Sequence, residues 1–463
     1  MDGVVVTGCT HDSRAVRPGD LYAALPGARA HGADFLPAAV SAGAAAVLTD
    51  PAGAAAAAAY DLPVLVAPRP RQVLGEVAAE VYGDPAAGML VVGVTGTNGK
   101  TTTAFLLEAG LQAAGHRTGL IGTVLARIGE QVLPSVRTTP EATDLQALLA
   151  LMRERGTSAV AMEVSSHALA LGRVDGLVFD TAVFTNLSQD HLDFHGSMAD
   201  YFAVKAQLFT PERARRGVVC VDDRAGRRLV ASATVPLQTY GEDADWQSHE
   251  VDLRPDGSSL RLVGPGVDLR TSLRLPGGFN VANALGALAA LGASGVDVHD
   301  AARGIAALPG VPGRMERVDE GQPFLAVVDY AHTPEAVSTL LDTLRAVTRG
   351  RVVLVLGCGG DRDRAKRPLM GAAAVGGADL AVLTSDNPRS EDPEAILREM
   401  DAPGAVIEPD RRAAIGYAVA QARPGDAVVV AGRGHETGQE VAGVVMPFDD
   451  RVVLREALQA VGA

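Results

Sequence analysis

The feature that most constrains this sequence is a glycine-rich run at residues 95–102, which lies between an apolar segment and a helical pattern. The apolar segment, residues 89–92, is typical of a buried parallel strand. Over residues 103–114, apolar side chains recur at helical spacing. Strand, glycine-rich turn and helix together form the context of a phosphate-binding loop. The residues predicted to form its anion-binding part are Gly96, Thr97, Asn98, Gly99, Lys100, Thr101 and Thr102.

The chemistry of this loop indicates a nucleotide site. Its glycines let backbone N–H groups turn toward an anion, at the positive end of the following helix. Lys100 can then reach the terminal phosphates, and the Thr101 hydroxyl can bind magnesium. The match is to Gly-Lys-Thr and not to the full signature, because Val94 occupies the first glycine position. An ATP site is the working hypothesis, and a tight strand–helix turn with a surface lysine is the alternative.

Composition bounds the class of protein. With 463 residues the chain is too long for one ordinary core, so about two to four domains are expected. The formal charge of −14 argues against a general nucleic-acid or anionic-membrane surface. The three cysteines have neither metal nor disulfide spacing, and we find no leader pattern and no apolar stretch of membrane length. These features predict a cytoplasmic protein without a membrane insertion.

Strand and helix patterns divide the chain into three α/β segments. Residues 1–88 carry short predicted strands at 4–6, 20–25, 45–48 and 64–66. Residues 89–312 alternate strand and helix, which predicts a doubly wound, mostly parallel sheet, with short β pieces at 246–275. A proline- and glycine-rich linker at 308–313 leads into a third α/β unit of Rossmann-like pattern, residues 313–463. The predicted architecture is a central P-loop domain flanked by two smaller α/β domains.

Polar residues collect at the predicted strand ends. Glu163 ends one strand and can hold magnesium opposite Thr101, although a satisfied edge carboxylate is the alternative. His191 and His195 lack further ligands at zinc spacing. In the third segment, four strand ends are each followed by a polar cluster, at residues 329–332, 357–363, 385–389 and 432–436. The carboxyl ends of parallel strands share one edge of a sheet, so these clusters predict one shared site.

Together these motifs resemble the Mur ligases. The resemblance rests on residues 95–102, 163–167, 186–193, 280–283, 313–316 and 329–334, and it covers essentially the whole chain in the family's order. Residues 12–14 and 18–21 are similar to the start of the member that adds the third peptide residue. The resemblance implies an ATP-dependent ligase of peptidoglycan precursor synthesis. It implies UDP-N-acetylmuramoyl-L-alanyl-D-glutamate as one substrate, an acyl-phosphate intermediate, Mg²⁺ as cofactor, and a monomer.

The resemblance also implies a role for individual residues. Lys100, Lys205 and His191 would be the catalytic residues, with Lys205 at the position that the family carbamylates. Thr101, Glu163 and Lys205 would hold magnesium, and the nucleotide would contact residues 96–102 with Asn280, Arg314 and Asp329. The UDP-muramoyl dipeptide would contact Ser13, Ala28, Arg29, Ala30, Thr138, Thr139, Ser165 and Arg173. The sequence departs from the family pattern at His11, Arg137 and Leu171.

The incoming amino acid is predicted from charge. Meso-diaminopimelate carries a second carboxylate and ammonium where lysine has an ammonium alone, and a planar guanidinium binds a carboxylate bidentately. Arg389 and Arg362 would hold that carboxylate, while Glu436 and the backbone at Gly432 would receive the distal ammonium. The run Asp386, Asn387, Pro388, Arg389 resembles the motif of diaminopimelate-adding members. A solvated turn arginine is the alternative for Arg389.

Four other functions compete with this interpretation. A ligase of the same build that adds L-lysine, or a folylpolyglutamate-synthase-like ligase, would share the central domain, but the latter lacks a muramoyl-binding domain before the phosphate loop. A non-catalytic nucleotide-binding protein would have lost a catalytic residue, whereas Lys100, Glu163, Lys205 and His191 are all present. A mechanical P-loop NTPase would not explain the three-domain layout.

Overall fold

Residues 4–135 and 137–462 are described by the computed structural model, and they form successive α/β segments, each with its own parallel or mostly parallel sheet. The first segment has four strands in the order β1-β2-β3-β4, all parallel. The strands are β1 (Gly8–Thr10), β2 (Asp20–Ala24), β3 (Ala46–Thr49) and β4 (Val64–Val66). The helices are α1 (Leu36–Ser41), α2 (Pro51–Ala57) and α3 (Pro70–Val81), with a 3₁₀ turn at Gly32–Phe35.

The strand predicted at residues 4–6 is wrong. The first strand begins instead at Gly8, and Val5 is 76% exposed. Three consecutive valines favour extended backbone locally, but a strand of this sheet requires a neighbour to bond and a core to face. The other strand predictions in this segment are confirmed to within one or two residues, which is the expected precision of element ends.

The central segment is built on an eight-stranded sheet in the order β12-β11-β10-β5-β9-β6-β7-β8. Its first six strands in that order are parallel, and β7 and β8 add an antiparallel edge. The strands are β5 (Leu90–Thr95), β6 (Thr118–Ile121), β7 (Ala126–Ile128), β8 (Gln131–Leu133), β9 (Ala159–Glu163), β10 (Thr181–Phe184), β11 (Gly217–Cys220) and β12 (Leu237–Tyr240). The predicted doubly wound, mostly parallel sheet is confirmed.

Helices cover both faces of this sheet. Val92 and Val183 point into one buried cluster and Val91 and Ala182 into the other, so successive residues of a strand enter opposite cores. The helices are α4 (Lys100–Ala113), α5 (Ala142–Glu154), α6 (Ser166–Ala170), α7 (Leu192–His195), α8 (Met198–Ala206), α9 (Arg224–Ser232), α10 (Gly278–Ala293) and α11 (Val298–Ala307), with a 3₁₀ turn at Gln207–Phe209. The β pieces predicted at 246–275 form an antiparallel three-stranded sheet of β13 (Gln247–Arg254), β14 (Gly257–Gly264) and β15 (Val267–Leu273).

The third segment has a six-stranded sheet in the order β16-β17-β21-β18-β19-β20, parallel except for β16. Its strands are β16 (Glu316–Arg317), β17 (Leu325–Val328), β18 (Val352–Leu356), β19 (Leu380–Leu383), β20 (Val406–Ile407) and β21 (Ala427–Val430). Its helices are α12 (Pro334–Val347), α13 (Lys366–Gly377), α14 (Pro393–Glu399), α15 (Arg411–Gln421) and α16 (Asp450–Gly462). A hairpin of β22 (Gly438–Val441) and β23 (Val444–Pro447) stands apart from this sheet. Within the two described ranges, no helix has both the length and the apolar character needed to cross a membrane.

A buried ion pair joins α15 to α16. Arg411 donates to both carboxylate oxygens of Asp450 at 2.8 and 2.7 Å, and both side chains are fully buried. Asp450→Ala leaves the guanidinium buried without its counter-charge, so we expect it to lower the free energy of unfolding by about 3–5 kcal/mol. Urea denaturation of the variant and the wild type measures this difference. A loss under about 1 kcal/mol, the value typical of exposed pairs, would contradict the prediction.

Candidate functional site

The glycine-rich loop joins β5 to α4 and adopts a backbone that requires its glycines. Gly96 has φ +148° and Gly99, at the start of α4, has φ +87°. A Cβ at Gly96 would lie 1.9 Å from Thr185 Oγ1, and one at Gly99 would lie 2.4 Å from Asn283 Oδ1. L-residues with side chains rarely adopt positive φ, and these neighbours leave no space for one. The loop therefore passes closely under the end of β10 and against α10.

Residues after β10 fix the loop backbone. Asn186 accepts from Asn98 N through its Oδ1 at 2.9 Å and from Thr97 N through its carbonyl at 2.9 Å. Thr185 Oγ1 donates to Asn98 O at 2.6 Å. The sequence motif contained Asn186, but sequence reasoning gave it no role. Its position at the carboxyl end of the strand beside β5 was the signal that could have identified it.

Two lysine ammonium groups converge on this loop. Lys100 Nζ donates to Gly96 O at 2.9 Å and to Thr97 O at 2.8 Å, and Lys205 Nζ, from α8, donates to Gly96 O at 2.8 Å. Burial lowers the pKa of Lys100, and burial together with the charge of Lys100 lowers the pKa of Lys205 well below its ordinary value. The helical pattern around position 205 does not distinguish this lysine from an ordinary surface lysine. In the fold its side chain is 1% exposed and belongs to the site.

Glu163 and Thr101 form an oxygen-donor pair at the carboxyl end of β9. Thr101 Oγ1 lies 3.0 Å from Glu163 Oε2, and Glu163 is 1% exposed. Thr123, which sequence reasoning missed, donates to the same carboxylate from its N at 2.7 Å and from its Oγ1 at 3.0 Å. A hydroxyl and a carboxylate are hard oxygen ligands, so this pair fits Mg²⁺ completed by phosphate oxygens. Among the described residues, no group of three or more His, Cys, Asp or Glu side chains could hold a metal ion.

The third segment contributes a guanidinium and a carboxylate to the same place. Arg314 Nη2 donates to Thr101 Oγ1 at 3.0 Å, and its guanidinium lies 4.4 Å from the centre of the Tyr330 ring. Asp329 accepts from Met315 N and Ala331 N, each at 2.7 Å, and burial raises its pKa. The two predicted nucleotide contacts of this segment thus face the phosphate loop across the segment boundary.

His191 stands beside an acidic residue shared by two segments. Its Nε2 lies 3.3 Å from Asp190 Oδ2, and His332 Nε2, from the third segment, lies 3.9 Å from the same oxygen. Burial lowers the pKa of His191, whereas the charges of His332 and His191 lower the pKa of Asp190 against the opposing effect of burial. Asp190 therefore presents a carboxylate to both histidines near neutral pH.

A single cavity of about 850 Å³ brings most of the predicted residues together. The predicted residues that line it are Thr97, Asn98, Gly99, Lys100, Thr101, Thr102, Thr138, Glu163, Ser165, Arg173, His191, Lys205, Arg314, Asp329 and Arg362. Asn280, predicted to contact the nucleotide, lies outside its described lining. The Asn280 amide donates to Pro276 O at 2.8 Å and accepts from Asn283, whose own side chain lines the cavity. A helix pattern does not tell which of two asparagines one turn apart faces a site.

The residues predicted to bind the UDP-muramoyl dipeptide lie in two separate groups. Thr139 Oγ1 accepts from Ser165 N at 3.1 Å, and Arg173 Nη1 donates to Thr139 O at 3.3 Å, so these three form one group with Thr138 at the cavity. Ser13 follows β1, and Ala28, Arg29 and Ala30 form an exposed loop after β2; these four lie outside the described cavity lining.

Glu141 organises the arginines at this end of the cavity. It accepts from Arg173 Nη2 at 2.8 Å, Arg71 Nη1 at 3.4 Å and Arg137 Nε at 3.5 Å. Arg71 lies on α3 of the first segment, so this carboxylate also ties the first segment to the second. Sequence reasoning missed Glu141, because Arg71 and Arg173 come from distant parts of the chain.

The four polar clusters of the third segment meet at one edge of its sheet, as predicted. Arg389 Nη1 donates to Gly360 O at 2.6 Å, and Asn387 Nδ2 donates to Glu436 Oε2 at 2.8 Å. A Cβ at Gly432 would lie 2.8 Å from Asp386 Oδ2. Burial and the neighbouring Asp386 raise the pKa of Glu436.

Both predicted carboxylate-binding arginines border the same glycine. A Cβ at Gly359 would lie 3.0 Å from Arg389 Nη1 and 3.8 Å from Arg362 Cγ. Arg362 lines the cavity, whereas Pro388, Arg389, Gly432 and the other residues of the cluster lie beyond its described lining. The predicted amino-acid site is therefore adjacent to the phosphate-loop cavity and connected to it through Arg362.

Known families match all three segments. Residues 5–82 match the Mur ligase family catalytic domain, residues 94–291 the Mur ligase middle domain, and residues 313–434 the Mur ligase glutamate ligase domain. The chain is 62% identical to UDP-N-acetylmuramoyl-L-alanyl-D-glutamate--2,6-diaminopimelate ligase of Streptomyces coelicolor over 98% of this chain and 92% of that protein.

Solved structures agree with these matches. A structure of a UDP-N-acetylmuramoyl-L-alanyl-D-glutamate--2,6-diaminopimelate ligase is 35% identical, with a TM-score of 0.69 over 99% of this chain and 96% of the other. Mycobacterium tuberculosis folylpolyglutamate synthase, complexed with ADP and AMPPCP, is 20% identical with a TM-score of 0.64 and covers 77% of this chain and 91% of its own. At that identity the second likeness concerns the fold alone.

Proposed function

Because this chain belongs to the Mur ligase family, we propose that it is an ATP-dependent ligase that joins meso-diaminopimelate to UDP-N-acetylmuramoyl-L-alanyl-D-glutamate. The observation that carries the proposal is the near-full-length identity of 62% to a ligase of that name. The contact between Arg314 of the third segment and Thr101 of the phosphate loop supports the proposal. A ligase must bring a nucleotide and two further substrates together, and a site between segments can do so.

The need for ATP follows from the chemistry of amide formation. A carboxylate is a poor acylating group at neutral pH, so the terminal carboxylate of the peptide first takes the γ-phosphoryl group of ATP, and ADP leaves. The amine of the amino acid then attacks the acyl phosphate, and phosphate leaves. Lys100, held between the carbonyls of Gly96 and Thr97, is placed to neutralise charge that develops on the transferred phosphoryl group.

Magnesium would be held by Thr101, Glu163 and a carbamylated Lys205. The ion would supply charge neutralisation at the phosphates when bound. Burial favours the neutral amine of Lys205, which is the form that adds CO₂. The addition releases a proton and gives an anionic carbamate, which the neighbouring charge of Lys100 would stabilise. Asp329 and Arg314 would contact the nucleotide, and His191 would orient a substrate oxygen near Asp190.

The muramoyl dipeptide would lie between the first segment and the cavity. Thr138, Ser165 and Arg173 line the same cavity as the phosphate loop and would position its terminal glutamate, together with Thr139, which is bonded to Ser165 and Arg173. Ser13 and residues 28–30 would bind the more distant uridine diphosphate. A cytoplasmic location, a monomeric state and domain boundaries near residues 88 and 312 stay predictions of the sequence.

The proposed reaction is tested by comparing two UDP-linked substrates whose peptides differ by one residue. With ATP, magnesium and diaminopimelate, we expect a new UDP-linked tripeptide from UDP-N-acetylmuramoyl-L-alanyl-D-glutamate and none from UDP-N-acetylmuramoyl-L-alanine. Separation of the UDP-linked products by chromatography measures both. A product from the shorter acceptor, or from neither, would contradict the proposal, and extension of a folate in their place would favour the folylpolyglutamate-synthase-like alternative.

The choice of amino acid is tested at Arg389. Arg389→Ala removes a charge-assisted contact to the distal carboxylate, so we expect kcat/KM for diaminopimelate to fall at least about tenfold. Arg362→Ala should have a similar effect if both arginines hold one carboxylate. The initial rate of phosphate release at varied diaminopimelate measures each variant.

Arg349→Ala is a suitable control for these variants, because Arg349 lies in the loop after α12, outside the cavity lining and the cluster. The control should retain wild-type kinetics. Unchanged diaminopimelate kinetics in Arg389→Ala would remove Arg389 from the site and favour the L-lysine-adding alternative.

A further inference from the structure

The loop that carries Arg389 is attached to the loop after the neighbouring strand. Gly360 N donates to Asn387 O at 2.9 Å, and Arg389 Nη1 donates to Gly360 O at 2.6 Å. Ser390 Oγ donates to Asp361 at 2.7 Å. Asp361 and Arg389 have φ values of +51° and +54°, which residues with side chains adopt only when the surroundings impose them. The orientation of Arg389 therefore depends on the loop at residues 359–361 together with β22, where Glu440 O accepts from Arg389 N at 3.0 Å and Glu440 Oε2 lies 3.7 Å from Arg389 Nε.

A buried arginine from the next helix holds that loop. Arg367, on α13, is fully buried and donates to Glu391 from two nitrogens, at 2.7 and 3.0 Å. It also donates to Gly359 O at 3.3 Å and to Glu399 Oε2 at 2.6 Å. Glu391 Oε1 in turn accepts from Asp361 N at 2.6 Å. The pair Arg367–Glu391 thus contacts the loop at both of its ends.

From these contacts we infer that Arg367 and Glu391 are positioning residues that set the orientation of Arg389 and so the enzyme's selectivity for an amino acid with a distal carboxylate. The inference rests on the proposed function, since it concerns the third substrate of that reaction. Neither residue lines the cavity. They act on the substrate through Gly359, Gly360 and Asp361, and these three backbone positions connect the buried ion pair to Arg389.

A purely structural role predicts a different result from a positioning role. Loss of folded enzyme lowers the apparent kcat and leaves every KM unchanged, because the remaining molecules bind normally. Misplacement of Arg389 weakens one substrate alone. The two roles are therefore separated by comparing KM for diaminopimelate with KM for ATP and for the UDP-linked dipeptide.

Glu391→Gln is the most informative variant. It keeps an acceptor for Asp361 N but gives up the charge and one of the two bonds from Arg367. We expect KM for diaminopimelate to rise about tenfold, the scale of one lost charge-assisted hydrogen bond, with KM for ATP and for the dipeptide within about twofold of wild type. Arg367→Lys, which keeps the charge but cannot span the same acceptors, should show the same pattern.

Arg364→Gln is the matched control. Arg364 pairs with Glu399, as Arg367 does, but it is 65% exposed and has no hydrogen bond to Glu391 among the described residues. We expect its three KM values to match those of the wild type.

Three outcomes decide the inference. An unchanged KM for diaminopimelate in Glu391→Gln would overturn it, as would an equal rise of all three KM values. If wild-type enzyme forms product with diaminopimelate and only the variants behave otherwise than expected, the positioning role fails and the proposed function stands. If the wild type uses no diaminopimelate, the proposed function is wrong, and the inference that rests on it is wrong as well.

Discussion

Lys100→Met should lower the rate of ATP-dependent phosphate release by about 100- to 1,000-fold, the effect of removing one preorganised group that stabilises transition-state charge. Lys100 Nζ is held 2.9 Å from Gly96 O and 2.8 Å from Thr97 O. The methionine side chain keeps the length and apolar stem of lysine but carries no charge. Single-turnover phosphate release with both other substrates saturating measures the chemical step.

The binding of ADP to the same variant serves as the control for an intact site. We expect a loss of affinity that is smaller than the loss of rate, because the positive N-terminal end of α4, which begins at Lys100, is still present at the phosphate site. A rate within about threefold of wild type would contradict the role given to Lys100 and would favour a phosphate loop that binds without catalysing.

Lys205→Met should abolish measurable ligation, a loss of at least about 100-fold, with the unfolding temperature unchanged or raised. The substitution keeps the packed stem and removes an amine that is buried beside Lys100. Methionine needs no solvation at this buried position, whereas an amine or a carbamate there is desolvated, so a loss of activity would not reflect a loss of folding. Calorimetric unfolding and product formation, measured on one sample, separate the two effects.

The carbamate predicts a dependence on CO₂ and pH. Burial lowers the folded-state pKa of Lys205, so the neutral amine gains population as pH rises through that lowered value. Enzyme depleted of CO₂ should therefore be reactivated when CO₂ is restored, and, at one fixed concentration of dissolved CO₂, reactivation should be faster toward higher pH until the amine is fully neutral. Wild-type activity that is unchanged after CO₂ depletion, or an active Lys205→Met variant, would argue against a carbamate ligand.

Much of the site could be predicted because it follows two local rules. Glycine-rich backbone between a strand and a helix predicts phosphate binding, and polar residues at the ends of parallel strands meet at one sheet edge. These rules place Lys100, Thr101 and Glu163 in one cavity and bring the loops at residues 357–363 and 385–389 together. They need only the sequence pattern of each strand and the parallel sense of the sheet.

What could not be predicted depends on contacts between distant residues. Thr123 lies in the turn that follows β6, and Glu163 ends β9. The bonds from Thr123 to Glu163 therefore depend on β6 lying beside β9. Glu391 reaches Asp361 only because β18 and β19 pair. Val4 to Val6 show the opposite case, since a strong local preference for extended backbone found no partner strand.

The central claim is that this chain couples ATP cleavage to diaminopimelate and not to lysine. Phosphate release should be followed with ATP, magnesium and UDP-N-acetylmuramoyl-L-alanyl-D-glutamate, with meso-diaminopimelate in one reaction and L-lysine in a parallel one. We predict release with diaminopimelate, matched by an equal amount of tripeptide, and little release with lysine. Release with lysine alone would contradict the specificity drawn from Arg389 and Arg362, and release with neither would contradict the ligase assignment itself.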